Sequence, residues 1–500
     1  MAKQVFTTGQ ILTAAQMTTL QANDYNQTVS AKTANYTLVA ADAGTRITMN
    51  NAGATTITVN TSVFTAGDTL TITNIGAGVC TITAGTATVS TSSTLALKQY
   101  DSGQLYFTST GVAIFFASDA ADSPLTTKGD LFTFSTNDAR LAVGNSGETL
   151  VANSAAATGL SYQPNFAAGK NKIINGDFTI NQRAFTSATA TGTYMFDRWY
   201  NRTNGDGTGT FSAETFTPGT APVAGYEATN FIRIVTSGST NSATLMGLRQ
   251  SIEDIRTLAG QTVTLSFWAK AASGTPKVYP SLLQVTGSGG SANVEYLPTA
   301  AATLSTSWAR YSFTYTLANL SGVTIGTGSY LMVNIIVSAG TNFAAANAAI
   351  GIQNATFDFW GLQVEAGSVA TAFQTATGTL QGELAACQRY YYRTTPGNDG
   401  RFFGISYNYN TTNGVMQVNF PVTMRVRPTA LEQSGTAADY AIWRANTVAE
   451  NLTSVPTYDG GTTSQMAVMA GATAGNLTAN TMTAFVARNA NAYLGWSAEL

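Results

Sequence analysis

The sequence predicts a mainly β protein that is divided into several domains. Charged residues make up only 10% of the 500 residues, while hydrophobic residues make up 44% and aromatic residues 10%, a balance typical of ordered protein. Short apolar runs separated by Gly, Asn, Asp and Ser recur along most of the chain, as in strands joined by tight turns. A chain of this length exceeds one hydrophobic core, so we expect about three to four domains.

The composition excludes several functional classes. The formal net charge is -2 and no run of Lys or Arg occurs, so we expect no nucleic-acid binding and no adhesion to an anionic membrane. The chain has no His, which removes the usual general base of Ser hydrolases and the commonest transition-metal ligand. Cys80 and Cys387 are far apart and are expected to be separate buried thiols. We find no signal-peptide core and no apolar run of about 18 residues, so no membrane insertion is expected.

Residues 1–32 are predicted to form a helical anchor. Thr13 is followed three residues later by Gln16, which is a capping-box pattern, and apolar residues then recur at near-helical spacing. Residues 33–118 change to alternating runs such as TTITVN and LTITN, which predict a compact β domain. No repeat of fixed period predicts a propeller or a β-helix.

Residues 119–169 are predicted to form a thin β neck. The apolar pieces LFTF, RLAV, TLVA and LSYQ are short, and none of them can bury a core alone. Lone strands in water leave unpaired backbone edges. We therefore expect copies from several chains to intertwine around an axis, which would make the molecule elongated.

Residues 170–376 hold the largest group of strand patterns. Alternating runs bounded by Gly-rich and Ser-rich turns predict a two-sheet sandwich. The runs are KIINGDFTI, YMFDRWYNR, NFIRIVTS, QTVTLSFWAKAAS, ARYSFTYTL, SYLMVNIIVSAG and ATFDFWGLQVEAG.

Two further segments are predicted after the sandwich. Residues 377–394 are expected to form a connector helix, because several of their larger side chains share one helical face. These side chains are Leu380, Leu384, Cys387 and Tyr391. Residues 395–500 return to strand patterns, VMQVNFPVTMRVRP and TAFVARNANAYLGWSAEL, and are expected to form a C-terminal β-sandwich at the tip of the molecule.

The stretch Asn175-Gly176-Asp177 interrupts an apolar run in KNKIINGDFTINQRAF. Gly permits a positive φ, and Asn and Asp tolerate the left-handed region. We interpret the stretch as a bulge or corner in one bent first strand that runs from residue 173 to residue 180. The rival interpretation is a metal-binding loop.

Several stretches resemble parts of tailed-bacteriophage fibre proteins. They are KNKIINGDFTINQRAF with MFDRWY, VTLSFWAKA, FDFWGLQVEAGSVATAFQ with the following CQRYYYR, the N-terminal QMTTLQANDYNQTVSAKTANYTLVAADAGTRITMNN, the neck TTKGDLFTFSTNDARLAVGNSGETLVANSAAATGLSY and the ending YLGWSAEL. The central stretches resemble the carbohydrate-binding-module-like jelly roll that recurs in phage tail-fibre and minor tail proteins.

The resemblance implies a homotrimeric virion fibre. Its N-terminus would attach to other proteins of the tail, baseplate or neck, and it would be made in the host cytoplasm and released by lysis. The expected function is that of a non-enzymatic tail fibre that attaches the particle to the host cell through a surface glycan. One alternative is a head or neck decoration fibre with a structural role and weak, nonspecific adhesion to carbohydrate. A second alternative is a polysaccharide depolymerase.

The resemblance also implies a structural calcium ion as the one candidate cofactor. Related jelly rolls often hold such an ion between their first and last strands, and Ca²⁺ prefers carboxylate oxygens. Asp177 and Asp358 are therefore the candidate ligands, although two carboxylates without an acidic loop are a weak pattern. No catalytic residue is predicted.

Aromatic residues supply the candidates for glycan binding. SYNYNTTNG and ADYAIWRAN are typical of loops, where exposed rings beside amide side chains suit sugars. The candidates are Tyr407, Tyr409, Tyr440 and Trp443, and the competing interpretation is that these rings anchor the loops. A second group lies in alternating strands and is expected to fill the core; it comprises Trp199, Tyr200, Trp268, Trp308 and Trp360.

One charged cluster is expected to be structural. Glu253 and Asp254 lie between Arg249 and Arg256 in the sequence. We interpret the four side chains as a solvated ion-pair cluster on a short helical turn.

Overall fold

The computed structural model describes residues 7–18, 27–118, 124–164, 168–397, 400–444 and 448–500. The protein is mainly β, as the sequence predicts. The chain divides into two compact units, Met1–Val143 and Gly144–Leu500. Of the helices in the described residues, none has the length and apolar character needed to cross a membrane.

The predicted capping box is confirmed at the start of the first unit. Residues 14–18 are helical, and the Gln16 backbone N donates to Thr13 Oγ1 at 3.2 Å. The Thr13 backbone N donates in return to Gln16 Oε1 at 2.9 Å. These reciprocal bonds satisfy two amides that the first turn of a helix leaves unpaired. Residues 1–6 and 19–26 of the predicted helical anchor lie outside the described residues. Its last residues do not fit the prediction, because Val29–Lys32 form a strand.

Two sheets pack together in the first unit. Their strands are β1 (Val29–Lys32), β2 (Tyr36–Thr37), β3 (Arg46–Met49), β4 (Thr55–Val59), β5 (Thr69–Asn74), β6 (Cys80–Ala84), β7 (Thr88–Thr91), β8 (Ala96–Leu97), β9 (Ser102–Ser109) and β10 (Val112–Ala117). One sheet has the order β1-β3-β5-β9-β10-β7 and the other β2-β4-β6-β8. Alternate residues such as Ile47, Ile57 and Ile72 point between the sheets and form one core, which also buries Cys80.

The first strands of this unit follow a solenoid-like path. The chain passes alternately between the two sheets, and β1, β3 and β5 pair in parallel, as do β2, β4 and β6. Val29 pairs with Arg46, whereas Arg46 pairs with Thr71. Because the number of residues in each coil changes, the sequence shows no fixed period, and periodicity could not reveal this path.

Two isolated hairpins follow. β11 (Leu131–Phe134) and β12 (Asp138–Leu141) pair in the first unit, while β13 (Glu148–Ala152) and β14 (Leu160–Pro164) pair in the second. Phe132 and Phe134 of the first hairpin are 56% and 66% exposed. These strands therefore bury little apolar surface within one chain, and the predicted intertwining with other copies stays a prediction.

A two-sheet sandwich forms the first part of the second unit. Its elements are β15 (Ser187–Ala188), β16 (Tyr200–Asn204), β17 (Thr208–Thr215), β18 (Asn230–Ser237), β19 (Leu245–Glu253), β20 (Thr262–Ala271), β21 (Lys277–Val285), β22 (Val294–Tyr296), β23 (Ala302–Thr303), β24 (Ala309–Thr316), β25 (Tyr330–Ala339), helix α1 (Ala344–Ile350) and β26 (Ala355–Ala366). The front sheet has the order β16-β19-β25-β21-β22, with β23 beside β21, and the back sheet has the order β15-β17-β18-β26-β20-β24. All pairs are antiparallel, and one core lies between the sheets.

The predicted bent first strand is wrong. Residues 171–185 form buried turns without a strand, and Asn175 and Phe178 both have a φ of 57°. The Asn175 side chain donates to the carbonyls of Ile180 and Asp197 at 2.8 and 3.0 Å. A Cβ at Gly176 would lie 2.2 Å from the Leu362 carbonyl oxygen, so Gly is required by close packing rather than by its φ.

Helix α2 (Leu380–Gln388) follows the sandwich. It begins at Thr379, whose Oγ1 accepts from the Gly382 backbone N at 3.1 Å. The helix is shorter than predicted, and its buried face carries Glu383 and Cys387 while Leu380 is 64% exposed. The periodicity failed here because Glu383 is buried for its hydrogen bonds: its carboxylate accepts from the backbone N of Asn175 at 2.9 Å.

The rest of the second unit contains two sheets with one core. Their strands are β27 (Tyr391–Thr394), β28 (Phe402–Asn408), β29 (Asn413–Asn419), β30 (Glu432–Gln433), β31 (Tyr440–Trp443), β32 (Ala449–Asn451), β33 (Thr457–Gly461), β34 (Gln465–Ala472), β35 (Thr481–Ala487) and β36 (Leu494–Ser497). One sheet has the order β32-β31-β35-β28-β29-β34-β33 and the other β27-β36-β30. Met416 and Phe485 of the large sheet share a core with Trp496 of the small sheet.

Candidate functional site

A groove lies on the outer face of the front sheet. Successive side chains of a strand point to opposite faces, so in β25 Leu331 and Val333 enter the core while Met332 and Asn334 line the groove. The groove has a volume of about 370 Å³. Its polar lining side chains include Arg202, Arg249, Glu295, Asn334 and Asn342, and its larger apolar ones include Tyr279, Leu283, Leu297, Met332 and Phe343.

Helix α1 closes one end of the groove. Its residue Ala346 and the preceding Phe343 pack with Leu245 and Tyr279 in a small apolar cluster on the outer face of the sheet. The Asn347 side chain donates to the Ala339 carbonyl at 2.8 Å, which fixes the helix to the end of β25. The sheet floor and the helix wall together enclose the concave shape that a ligand site requires.

Two arginines enter the groove from adjacent strands. Arg202 lies in β16 and Arg249 in the neighbouring β19. Arg249 pairs with Tyr200, two residues before Arg202, so the two arginines are diagonal neighbours on one face. The Arg249 guanidinium lies 4.5 Å from the centre of the Tyr200 ring, and the Arg202 guanidinium lies 5.5 Å from that of Phe343. Burial and the like charge of Arg249 lower the pKa of Arg202.

A polar relay occupies the other side of the groove. The Asn334 side-chain N donates to Ser281 Oγ at 3.4 Å, and Ser281 Oγ donates to Glu295 Oε1 at 3.0 Å. Burial and then the charge of Glu295 raise the pKa of Tyr279. The groove therefore offers ring faces, donors and one acceptor carboxylate, the set of groups that bind sugar hydroxyls and CH faces.

A second cavity adjoins this groove. Arg249 and Met332 line both cavities, and the second, of about 380 Å³, continues past Tyr200 and Ser251. At its far end the Arg198 side chain is ion-paired with Glu499. The outer face of the front sheet therefore carries a continuous track of two cavities.

The predicted calcium ligands do not fit a calcium site. Asp358 lies on the back sheet, where Arg233 donates to both carboxylate oxygens at 2.7 and 2.9 Å and Lys270 lies at 3.7 Å. Two cations already compensate this carboxylate, which leaves little attraction for a third. Within the described ranges no group of three or more His, Cys, Asp or Glu side chains could hold a metal ion.

Asp177 has different partners. Its carboxylate accepts from Thr179 Oγ1 at 2.7 Å and from the Tyr226 hydroxyl at 2.9 Å. It lines a cavity of about 460 Å³ together with Glu383, whose pKa is raised by burial. These partners fix the turns before the sandwich and do not include Asp358.

The predicted loop position of Tyr440, one of the glycan-binding candidates, is wrong. The residue lies in β31 rather than in a loop and is fully buried. Its hydroxyl donates to the Tyr493 carbonyl at 2.7 Å, and its ring stacks on Phe485 at 5.8 Å. Tyr440 therefore anchors the core, which is the competing interpretation of the sequence pattern.

The other three candidates are more accessible. Tyr407 lies in β28 rather than in a loop, is 42% exposed, and donates to Asn480 Oδ1 at 2.7 Å. Tyr409, just after this strand, is also 42% exposed. The partly buried Trp443 lies in β31, with its ring 5.5 Å from that of Phe402. Glycan binding by these three residues stays a prediction.

The core interpretation of the central aromatic residues is confirmed for Trp199 and Trp360. Both are fully buried, and Trp199 Nε1 donates to the Asn175 carbonyl at 2.8 Å. Trp268 and Trp308 are partly buried against the same core. Tyr200, by contrast, lies on the outer face beside Arg249.

The groove residues were missed from the sequence. Arg249 was assigned to the charged cluster with Glu253, but Glu253 instead pairs with Arg389 at 2.8 Å. Asp254 does pair with Arg256, at 3.2 Å. The available signal was the outward register of β19 and β25. Arg249 follows the core residue Leu248 in β19, and Asn334 lies between the core residues Val333 and Ile335 in β25.

The chain is similar to several solved structures, each at low sequence identity. It is similar to a tailspike enzymatic domain of bacteriophage CBA120 (11% identity, TM-score 0.24, 68% of this chain and 38% of that chain). It is also similar to a xylan-binding domain of Paenibacillus barcinonensis (13% identity, TM-score 0.23, 41% of this chain and 98% of that chain). TM-scores this low support no assignment. No curated protein matches the chain.

One sequence family matches part of the chain. Residues 200–328 match a family described as a carbohydrate binding domain. The matched segment begins at β16 and includes Arg202, Arg249, Tyr279 and Glu295, four of the side chains that line the groove. Part of the central sandwich, residues 200–328, is therefore similar to a carbohydrate binding domain.

Proposed function

We propose that this chain is a non-enzymatic component of a tailed-phage virion that attaches the particle to a glycan on the host surface. The observation that carries the proposal is the groove on the front sheet, where ring faces, arginines and an amide converge. Part of its lining, including Arg202, Arg249 and Tyr279, lies within the segment that matches a carbohydrate binding domain. The virion location rests on the resemblance of the sequence to phage fibre proteins.

The geometry of the cavity acids favours binding over hydrolysis. A glycosidase needs two carboxyl groups free to act on the substrate. The acids Asp177 and Glu383 share a cavity, but both accept several hydrogen bonds from neighbouring backbone or hydroxyl groups. This arrangement is more typical of structural acids than of a general acid and base.

Trimer formation is part of the proposal. Exposed Phe132 and Phe134 lie on a two-stranded sheet that cannot be stable alone in water. Packing against the same hairpin of other copies would cover them. Three copies would also multiply weak glycan contacts through avidity, by roughly 10²- to 10⁴-fold when the geometry permits.

A glycan-binding experiment tests the proposal. The full-length protein is screened against host-surface and plant-type polysaccharides, and the affinity for the best ligand is measured by calorimetry. Asn334→Ala removes a donor from the groove and should weaken binding about fivefold or more. Tyr407→Ala serves as the matched variant at the rival location and should leave the affinity unchanged.

Two outcomes would contradict this assignment. If Asn334→Ala binds as the unmodified protein does while Tyr407→Ala loses binding, recognition lies in the C-terminal sheets instead. If the protein releases reducing sugar from the polysaccharide that it binds, it is a depolymerase.

A further inference from the structure

The charges in the groove are unbalanced. Arg202 and Arg249 face Glu295 alone, and among the described residues neither arginine has an ion-pair partner. Glu295 is exposed at the rim and is held by Ser281. The groove therefore has an excess of positive charge although the whole chain has a formal net charge of -2.

The two guanidinium groups are held by aromatic rings rather than by acids. Arg249 stacks near Tyr200 and Arg202 near Phe343. A ring face restrains the plane of a guanidinium without using its N–H groups. Arg249 Nη1 makes one long hydrogen bond, to Met332 Sδ at 4.0 Å, and sulfur is a weak acceptor. Such N–H groups form a fork whose geometry matches a carboxylate.

The far end of the neighbouring cavity lacks this feature. Its arginine, Arg198, has a side chain that is only 2% exposed and is paired with Glu499. It also donates to the Ser251 carbonyl. The charge of Arg198 is thus compensated by Glu499, whereas Arg249, at the junction of the two cavities, has no ion-pair partner among the described residues and is available to a ligand.

From this geometry we infer that the groove selects an acidic glycan, whose uronate-type carboxylate is bound by Arg249 with help from Arg202. The sugar ring of the same residue would pack over the apolar floor formed by Met332 and Leu283. Asn334 and Glu295 would bind its hydroxyl groups. This inference rests on the proposed carbohydrate-binding function and specifies the class of sugar.

A matched pair of ligands tests the inference. An oligogalacturonate and the same oligosaccharide with its carboxylates methyl-esterified differ only in charge at those positions. Binding of both to the full-length protein is measured by calorimetry. We expect the acid to bind at least about tenfold more tightly than the ester, because charge-assisted hydrogen bonds are the stronger ones. This preference should decrease as salt is raised from about 0.05 to 0.5 M.

Substitutions test whether Arg249 causes the preference for the acidic ligand. Arg249→Gln should weaken binding of the acid about tenfold and binding of the ester much less, so that the preference for the acid falls. Arg249→Lys retains the charge without the fork and should lose part of the preference. Arg256→Gln is the control: it removes the same charge from a side chain that is 64% exposed outside the groove, and it should change neither affinity. Equal melting temperatures would show that the variants fold alike.

The outcomes separate this inference from the proposed function. If the protein binds neutral oligosaccharides in a manner that depends on Asn334 but shows no preference for the acid, the carbohydrate-binding function stands and the acidic specificity is refuted. If the acid is preferred but Arg249→Gln and Arg256→Gln weaken it equally, the preference reflects overall charge and the inference also fails. If no glycan binds, both proposals fail.

Discussion

Replacing Glu499 by Gln should destabilise the second unit strongly. The side chains of Arg198 and Glu499 are 2% and 4% exposed and form an ion pair. Burial lowers the pKa of Arg198, but Glu499, the largest of the opposing contributions, together with nearby Tyr390, Tyr194 and Cys387 more than offsets this, so the net pKa is raised. The substitution would leave the guanidinium buried without an opposite charge.

The expected loss follows from the geometry. Removing one partner of a buried ion pair typically costs about 3–5 kcal/mol. Arg198 keeps its bond to the Ser251 carbonyl and its contact with the Tyr390 ring, whose centre lies 3.5 Å away. We therefore expect the lower end, about 3 kcal/mol. The control is Asp254→Asn, because the pair between Asp254 and Arg256 is largely exposed and should contribute less than about 1 kcal/mol.

Tryptophan fluorescence during urea unfolding provides the assay. All six tryptophans lie between residues 199 and 496, so the signal reports on the second unit. With a slope of about 3 kcal/mol/M, the Glu499→Gln midpoint should fall by about 1 M. Adding Arg198→Met should recover part of the loss, since it removes the uncompensated cation. The reasoning is refuted if Glu499→Gln costs no more than Asp254→Asn.

Three further predictions follow from the fold. Gly176→Ala should cost about 1–3 kcal/mol in the tryptophan assay, since its Cβ would lie 2.2 Å from a carbonyl oxygen. Gly53→Ala in the first unit, with 3.5 Å to its nearest atom, should be nearly neutral when unfolding is followed by far-UV circular dichroism, which reports on both units. Burial raises the pKa of Asp197 to about 6. Because this pKa lies above that of an unfolded Asp, the free energy of unfolding should fall by about 2–3 kcal/mol as pH rises from about 4 to 6. The same pH series on Asp197→Asn should not show this fall. In analytical ultracentrifugation, Phe134→Asp should sediment as a monomer, whereas Tyr100→Asp should sediment as a trimer. If the unmodified protein is a monomer, the proposed trimer is wrong.

Local pattern was sufficient for much of the fold. Strands such as β18, β20 and β25 follow from alternation, because their apolar faces meet one core and the pattern records that contact directly. The capping box at Thr13 and Gln16 is equally local, since all its partners lie within one helical turn.

The residues for which the sequence prediction was wrong contact partners that are distant in the sequence. Asn175 is buried because its backbone N meets Glu383, 208 positions away in the chain. No local window contains that contact, so the apolar residues around it were assigned to a strand. The groove was missed for a related reason: Arg249 gains its role from Tyr200 and Met332 on other strands, and sequence spacing alone placed it beside Glu253 instead.

The contacts of the buried turns have a practical and evolutionary consequence. Besides the bond from Asn175 to Glu383, Gln182 donates to the Tyr391 carbonyl at 2.8 Å, and Arg393 donates to the Arg183 carbonyl at 2.7 Å. If the chain were separated near residue 376, by a protease or by a recombination junction, the sandwich would lose these hydrogen-bond partners. Its buried donors would then be unsatisfied. We therefore expect recombination between related genomes to exchange the sandwich together with residues 377–500.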